Sequence, residues 1–139
     1  MNNGSTITVQ TNVNAPIEKV WRLWSEPEHI TKWVTASGEW HTPRAENDLR
    51  TGGQFSSRME AKDGSMGFDF AGVYDEVREN EYIGYTLGDG RKVTIDFKTD
   101  GDGTAIVQTF EPESENPREM QQGGWQAILD SFKRYAEKQ

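Results

Sequence analysis

Residues that commonly carry catalytic chemistry are few in this sequence and are not grouped. There is no cysteine, and the only histidines are His29 and His41, so the ligand set of a typical zinc site is missing. The phosphate-loop pattern G-x-x-x-x-G-K-[ST], the hydrolase pattern G-x-S-x-G and the metalloprotease pattern H-E-x-x-H do not occur. We therefore predict no catalytic residue, no metal site and no cofactor.

Carboxylates are the remaining candidates for acid and base chemistry. Most of the candidate carboxylates fall at turns or on a polar strand face, where solvated charge is the ordinary explanation; the candidates are Asp69, Asp75, Glu76, Glu79 and Glu81. The acidic spacing over residues 100–111 resembles a calcium loop, but Ala105 stands where that loop needs glycine and the flanks have strand patterns. We interpret both groups as surface charge.

Two polar side chains on an otherwise apolar strand face are better evidence for a binding site than these carboxylates. Ser57 and Gln108 are in phase with large apolar residues of their predicted strands. A buried polar group needs a hydrogen-bond partner, and a ligand or water held in a cavity would provide one. The plainer alternative is a solid core, in which each of the surrounding aromatic side chains simply fills space.

Two amphipathic helices and a set of strands must position this face. Apolar residues at 17, 20, 21 and 24, and again at 125, 128, 129 and 132, have the spacing of one helix face. Between about residues 38 and 112 the chain alternates between polar and apolar residues in short runs, separated by turn signals such as Gly52-Gly53. Successive hairpins of this kind predict an antiparallel meander.

Element boundaries are predicted from capping residues and prolines. Asn14 and Pro16 are expected to start the first helix, and Ser25 the capping box of a second, short helix. Asn116 is expected to cap a last helix running to about residue 137. Residues 6–13 are predicted to form the first strand, residues 38–42 a brief second strand, and residues 43–53 an irregular segment.

Length and charge limit the remaining possibilities. A chain of 139 residues suits one domain, residues 1–139. Its net charge of −8 opposes binding to nucleic acid or anionic lipid. No apolar run approaches the roughly twenty residues of a membrane helix. We expect no signal peptide, because no basic region followed by an apolar stretch occurs at residues 1–5. We expect a cytoplasmic monomer or homodimer with no nucleic-acid or membrane partner, while a protein partner stays possible.

The order of these segments resembles the activator of heat-shock-protein-90 ATPase homologue family (C-terminal-domain-like), within the START-like or SRPBCC superfamily. The resemblance covers about residues 6–138, and residues 48–53 (DLRTGG) look like the family's D-L-R-P-G-G stretch, with Thr51 in place of proline. The other residues that carry it are Pro16, Val20, Trp21, Trp24, Ile30, Trp33, Gly72, Gly103, Thr104, Gly124, Trp125, Leu129 and Asp130.

The resemblance implies an α+β helix-grip fold, the START-like or pollen-allergen-like architecture. In it a curved antiparallel sheet of six or seven strands surrounds a long C-terminal helix, and two short helices follow the first strand. Such folds commonly hold an apolar cavity between sheet and helix. Phe132 stands where the family usually has leucine, and we expect it to narrow that cavity.

We therefore hypothesise a non-enzymatic protein that binds a small apolar molecule. The alternatives are a protein-interaction module, such as a stress-related co-chaperone, and a cavity enzyme of cyclase or hydrolase type. The residues predicted to line the cavity are Trp33, Phe55, Ser57, Met59, Phe68, Phe70, Tyr74, Tyr85, Ile95, Phe97, Gln108, Phe110, Trp125, Leu129 and Phe132.

Overall fold

One antiparallel sheet contains all the strands in the computed structural model, which describes residues 6–34 and 39–139. The seven strands are β1 (Ile7–Val13), β2 (Trp40–Asn47), β3 (Gln54–Ala61), β4 (Gly67–Arg78), β5 (Tyr82–Leu87), β6 (Lys92–Asp100) and β7 (Gly103–Phe110). Their order is β1-β7-β6-β5-β4-β3-β2. The predicted meander from β2 to β7 is confirmed, and β1 pairs beside the last strand.

Three helices complete the fold: α1 (Ile17–Ser25), α2 (Pro27–Trp33) and α3 (Arg118–Glu137). The first two follow β1, and α3, at 20 residues, is about 30 Å long. No helix in the described part of the chain is both long and apolar enough to cross a membrane. The predicted α+β helix-grip fold is confirmed in its strand number, its helix order and its long C-terminal helix.

Alternation along the strands separates an inner face from an outer one. In β7, Ile106, Gln108 and Phe110 are buried, whereas the residues between them are only half-buried. The pairing of Ile95 with both Gln108 and Ile83 continues this inner face across β6 and β5. Because side chains of directly paired residues share a face, the inner surface of the sheet is continuous from β1 to β5.

The predicted helix caps are wrong. Asn14 instead uses its backbone N–H to donate to the carboxylate of Glu137 at 2.8 Å, and the hydroxyl of Ser25 donates to the carbonyl of Trp21 within α1. Asn116 lies one residue too early to cap α3. The residues at the three N-cap positions are Pro16, Glu26 and Pro117, and none of them makes a side-chain cap hydrogen bond.

Strand β2 extends into the segment predicted to be irregular, because it continues to Asn47. Its pairing with β3 shifts register between His41 and Arg44, at the position of Pro43. An edge strand tolerates proline, which has no N–H to donate, and β2 is the edge of this sheet. Gly38, where the prediction began the strand, lies outside the described residues.

The DLRTGG segment fastens the β2–β3 loop to β4. Gly52 has a φ of +87°, and a Cβ on Gly53 would lie 2.0 Å from the carbonyl oxygen of Asp48, so both positions require glycine. The N–H of Gly52 donates to the carbonyl of Tyr74 at 2.8 Å, and the N–H of Tyr74 donates to the carbonyl of Gly53 at 2.9 Å. The loop therefore fixes the part of β4 that carries Tyr74.

Candidate functional site

A cavity of about 350 Å³ lies between part of the inner face of the sheet and the helices. Its lining is largely aromatic and aliphatic, with a few polar side chains. The lining residues are Trp24, Ile30, Trp33, Val34, Glu46, Asn47, Phe55, Ser57, Met59, Phe68, Phe70, Tyr74, Ile83, Tyr85, Arg91, Ile95, Gln108, Glu113, Gln121, Trp125, Ile128 and Leu129.

The position of α3 explains why this space is not filled. Two side chains of α3 bind backbone carbonyls of the edge strand β1: Gln126 Nε2 donates to Gln10 at 3.0 Å, and Lys133 Nζ to Asn12 at 2.7 Å. These contacts cover the free edge of β1 and hold the helix over that side of the sheet. The opposite side, formed by β3 and β4, is left facing the cavity.

The hairpin formed by β3 and β4 extends past its neighbour β5. Met59 pairs with Phe68 and Ser57 with Phe70, but the pairing of β4 with β5 begins only at Gly72. Phe68 and Phe70 therefore lie where the sheet consists only of β2, β3 and β4, and this part of the sheet forms one wall of the cavity. The ring of Phe70 lies 5.9 Å from that of Trp125 on α3, so these two side chains meet across the space.

Aromatic contacts fix the sheet side of the cavity. The ring of Phe55 lies 5.8 Å from Phe70, 5.2 Å from Tyr74 and 4.8 Å from Tyr85, all in tilted or edge-on arrangements. Such arrangements suit the charge distribution of aromatic rings and add to the apolar contact. The wall is thus preformed, because each ring is held in place by its neighbours.

Tyr74 and Asn47 form a hydrogen-bonded chain at the edge of the cavity. The hydroxyl of Tyr74 donates to Asn47 Oδ1, and Asn47 Nδ2 donates to the carbonyl of Ser25 at the end of α1. Burial raises the pKa of Tyr74, and the hydrogen bond with Asn47 partly opposes that rise. The Tyr74 hydroxyl is therefore committed to holding β2, β4 and α1 together.

Tyr85, Gln108 and Ser57 present polar groups deeper in the cavity. Burial raises the pKa of Tyr85, and the neighbouring Gln108 amide opposes part of this rise, which puts the two polar groups side by side. The hydroxyl of Ser57 has no hydrogen-bond partner among the described residues, although the residue is buried. Its pairing with Phe70 in the next strand confirms that it is on the inner face.

Gln121 closes the end of the cavity beneath the start of α3. Its Nε2 donates to the carbonyls of Glu113 at 3.0 Å and Asn116 at 2.8 Å, and its Oε1 accepts from the N–H of Glu113 at 2.9 Å. The Gln121 side chain therefore provides hydrogen-bond partners for backbone groups of the loop between β7 and α3. Hydrogen bonds from Asn116 hold the pKa of the Glu113 carboxyl below its usual range.

Charged side chains line the rim of the cavity. Glu46 is exposed, whereas Arg91 and Glu113 are half-buried. The guanidinium Nε of Arg91 donates to a carboxylate oxygen of Asp89 at 2.7 Å, so its charge is already paired. The rim thus carries more negative than positive charge, while the interior side chains Ser57, Tyr85 and Gln108 are neutral.

The structure places all but three of the predicted site residues in the wall of the cavity, and their binding of a ligand stays a prediction. Phe97, Phe110 and Phe132 instead lie in the packed core, and the expectation that Phe132 narrows the cavity is not met. Phe132 packs edge-on against Trp24 and Trp33, at 4.9 and 4.8 Å. Phe97 and Phe110 are on the inner face of the sheet and Phe132 is on the buried side of α3, but side chains of a helix cover each of the three.

Phe97 and Phe110 are covered in the same way. Trp21 and Trp24 of α1 pack edge-on against Phe97 at 5.2 and 5.4 Å. Trp125 stacks on Phe110, with ring centroids 4.1 Å apart and planes 11° from parallel. Phe110 therefore supports the Trp125 ring from behind and does not face the cavity.

Several residues that line the cavity were not predicted from the sequence to do so. Trp24, Ile30 and Ile128 belong to the apolar stripes of their helices, so the periodicity that found the helices would also have found them. Asn47 and Arg91 lie at a strand end and in a turn, where no periodic signal exists. Those two positions depend entirely on tertiary packing.

One group of possible metal ligands lies at the start of α2. Glu26, Glu28 and His29 have ligand atoms within 4.8 Å of one another. Both ring nitrogens of His29 already have neighbours, because Nδ1 shares a hydrogen bond with the Tyr135 hydroxyl at 2.5 Å and Nε2 lies 3.4 Å from Glu26. The contacts of His29 with Tyr135 and Glu26 hold α2 against α3. This structural role accounts for the group without a bound metal ion.

Comparisons with known proteins agree with this architecture. The structure is similar to that of an AHSA1-like protein from Aeromonas hydrophila, with 41% identity, a TM-score of 0.90, and coverage of 96% of this chain and 92% of that one. A protein from Cytophaga hutchinsonii is 61% identical, with a TM-score of 0.84 and coverage of 97% and 94%. A protein from Nitrosomonas europaea is similar in fold alone, at 18% identity, a TM-score of 0.83 and coverage of 99% and 97%.

A search among curated proteins found no match. The family model described as "Activator of Hsp90 ATPase homolog 1-like protein" matches residues 14–137, which is nearly the whole chain. The match includes both terminal helices that border the cavity and all strands except β1. The chain belongs to the activator of Hsp90 ATPase homolog 1-like family.

Proposed function

We propose that the protein binds one small apolar molecule in the cavity and does not transform it. The observation that carries this proposal is the cavity itself, about 350 Å³ of space bordered by aromatic and aliphatic side chains of the sheet and all three helices. Small-molecule sites in proteins usually measure about 300–1,000 Å³ and have mostly apolar walls with a few polar groups. This cavity meets both criteria.

Apolar burial would supply most of the binding energy. Each Å² of apolar surface removed from water contributes about 25 cal/mol before ordering costs are subtracted. The ordering cost on the protein side is small, because rings such as Phe55 and Tyr85 are already fixed by their contacts at 4.8 Å. A preformed wall of this kind favours tight binding of a rigid ligand.

The volume points to a modest ligand. An apolar cavity of about 150 Å³ accepts benzene, so one of 350 Å³ has room for a larger molecule, such as two fused rings. A phospholipid with two long chains would not fit inside. The hydrocarbon tetralin, which has two fused rings and no polar atom, is therefore a suitable first probe.

The test is calorimetric titration of tetralin into the wild-type protein and into two serine variants. Ser57→Leu places an apolar side chain in the cavity, and the matched variant Ser56→Leu places the same side chain on the opposite face of β3. We expect the wild type and Ser56→Leu to bind tetralin and Ser57→Leu to lose at least tenfold in affinity. Circular dichroism would establish that both variants are folded.

Two results would contradict this proposal. If the wild type does not bind tetralin at its solubility limit, the cavity is not an apolar ligand site. If Ser57→Leu and Ser56→Leu bind it equally well, the ligand binds elsewhere on the protein. In either case the protein-interaction module becomes the leading alternative.

Other features of the function stay predictions from the sequence. These are the cytoplasmic location, the monomeric or homodimeric state, a possible protein partner, a link to stress, and the cavity enzyme as the remaining alternative. The family description refers to activation of the Hsp90 ATPase. A co-chaperone role is thus a second hypothesis, and the titration above does not depend on it.

A further inference from the structure

Three neutral polar side chains in the cavity wall indicate what kind of molecule would bind. Ser57, Tyr85 and Gln108 are only 7%, 6% and 7% exposed, and they come from three different strands. Resting on the proposed function, we propose that the ligand is a neutral apolar molecule with one oxygen acceptor, such as a ketone, and that the Tyr85 hydroxyl beside Gln108 binds this oxygen. Ser57 offers a second polar contact in the same cavity.

The Tyr85 hydroxyl has the properties of a hydrogen-bond donor to a ligand. Its ring is fixed by Phe55 at 4.8 Å and Tyr74 at 6.2 Å, so the hydroxyl has a defined position. An ordinary tyrosine is protonated at neutral pH, and burial raises the pKa of Tyr85 further, so its hydroxyl can donate a hydrogen bond. A phenol can accept one hydrogen bond from an amide and still donate its own proton, so contact with Gln108 does not exhaust it.

Tyr74 differs from Tyr85 in the hydrogen bond that its hydroxyl makes. It is paired with Tyr85 in the sheet and lines the same cavity, but its hydroxyl donates to Asn47 Oδ1. The two tyrosines therefore differ in one respect that matters for binding, namely whether the proton is already used within the protein. Tyr85 is the candidate donor to the ligand, and Tyr74 is its natural control.

The charges around the cavity favour a neutral ligand over an anionic one. Arg91 is the one basic side chain among the described lining residues, and its Nε is bound to Asp89 at 2.7 Å. Glu46 and Glu113 lie on the same rim. A carboxylate would approach net negative charge and would also lose its hydration, which is costly without a free cation.

The experiment compares three probes that share one carbon skeleton. Tetralin is the hydrocarbon, 1-tetralone adds a ketone, and tetralin-1-carboxylate adds a negative charge. Each is titrated calorimetrically into the wild type, Tyr85→Phe and Tyr74→Phe, with Gln108→Met as a second variant of the proposed oxygen site. Because Tyr85→Phe removes only the hydroxyl, tetralin serves as the reference ligand, and the readout is the ratio of the 1-tetralone affinity to the tetralin affinity in each protein.

We expect Tyr85→Phe to weaken 1-tetralone about five- to tenfold, the value of one ordinary hydrogen bond. Gln108→Met should weaken 1-tetralone more than tetralin, and Tyr74→Phe should change the affinity of both by the same factor. The carboxylate should bind the wild type more weakly than the ketone does. This pattern would support the neutral oxygen site.

The outcomes that overturn the proposal differ from those that overturn ligand binding itself. If tetralin binds but Tyr85→Phe and Gln108→Met change tetralin and tetralone equally, the cavity is an apolar site without oxygen recognition. If the carboxylate binds best and loses this advantage in Arg91→Gln, the ligand class is anionic. If none of the probes binds the wild type, both this inference and the proposed function fail.

Discussion

Some of the large aromatic side chains of this protein pack in the core, whereas others line the cavity. Phe132 is fully buried and packs on Trp24 and Trp33, so it belongs to the core. Trp125 is half-buried, because one face of its ring stacks on Phe110 while the residue also lines the cavity. Loss of the first should cost stability, and loss of the second should change the cavity.

This difference predicts unequal effects of truncation. Phe132→Ala should lower the free energy of unfolding by about 3–5 kcal/mol, as expected for a phenylalanine removed from a packed core. Trp125→Ala should cost less, because part of its surface is already in contact with the cavity or solvent. Urea denaturation of both variants measures this. A larger loss for Trp125→Ala would contradict the assignment.

The buried tyrosines predict how stability depends on alkaline pH. An unfolded tyrosine loses its proton near pH 10, whereas burial keeps Tyr74 and Tyr85 protonated to higher pH in the fold. Above about pH 10 the unfolded state therefore binds fewer protons than the native state, and the free energy of unfolding falls as pH rises. Each tyrosine contributes up to about 1.4 kcal/mol per pH unit.

Tyr85→Phe should therefore lose stability less steeply than the wild type between about pH 10 and 12. Urea denaturation at several pH values measures both slopes, and other titrating groups contribute about equally to the two proteins. Equal slopes would mean that Tyr85 ionises in the native state as easily as in the unfolded chain. Below pH 9 the two curves should run parallel.

Among the helices, α3 is hydrogen-bonded to β1 and also contains two consecutive glycines, which are unfavourable inside a helix. Gln126 and Lys133 hold it to β1, but Gly123 and Gly124 stand in its N-terminal half. A Cβ on either glycine would meet nothing within 4 Å, apart from its immediate chain and helix neighbours. Close packing against the sheet is therefore not the reason for these glycines, which leaves their effect on helix stability as a testable property.

Replacing these glycines should stabilise the protein. Alanine is favoured over glycine by about 1 kcal/mol in a helix interior, so Gly123→Ala and Gly124→Ala should each raise the free energy of unfolding by about that amount. Gly72→Ala is the contrasting control, because its Cβ would lie 2.6 Å from the carbonyl oxygen of Thr86. In thermal denaturation, the midpoint temperature should therefore rise for the two helix variants and fall for Gly72→Ala.

At the scale of the whole molecule, the protein is an acidic chain folded around a neutral apolar interior. The net charge of −8 is borne mainly by exposed side chains, while the charged groups near the cavity stay on its rim. This distribution is the reason that we expect no nucleic-acid partner. It also means that partition of a neutral ligand into the cavity should depend little on salt.

Native mass spectrometry of the protein purified gently from its own cells tests occupancy directly. We expect an extra mass of roughly a few hundred daltons, which suits a cavity of 350 Å³ and vanishes under denaturing conditions. Its elemental formula should contain oxygen if the Tyr85 site is used. A mass that persists on denaturation would indicate covalent modification, and a hydrocarbon without oxygen would contradict the oxygen site.

Local sequence patterns were enough to predict the helices and strands, their order and the inner face of the sheet. Periodicity is a local property, so the stripe through Trp125 and Leu129 and the alternation around Phe55 predict a helix and a strand whatever lies nearby. The same alternation identified Ser57 and Gln108 as inward polar residues. The predicted helix caps were wrong, because each N-cap position, at Pro16, Glu26 or Pro117, lies one or two residues after the predicted capping residue.

Which of the inward residues face the cavity depends on how the helices pack over the sheet. Phe97 and Ile95 belong to the same face of β6, but α1 covers Phe97 and leaves Ile95 in the cavity wall. That outcome depends on where the helices lie over the sheet, which is set by contacts between residues far apart in sequence, such as Gln126 with Gln10. Local patterns contain no information about such distances, so the cavity exists only in the folded chain.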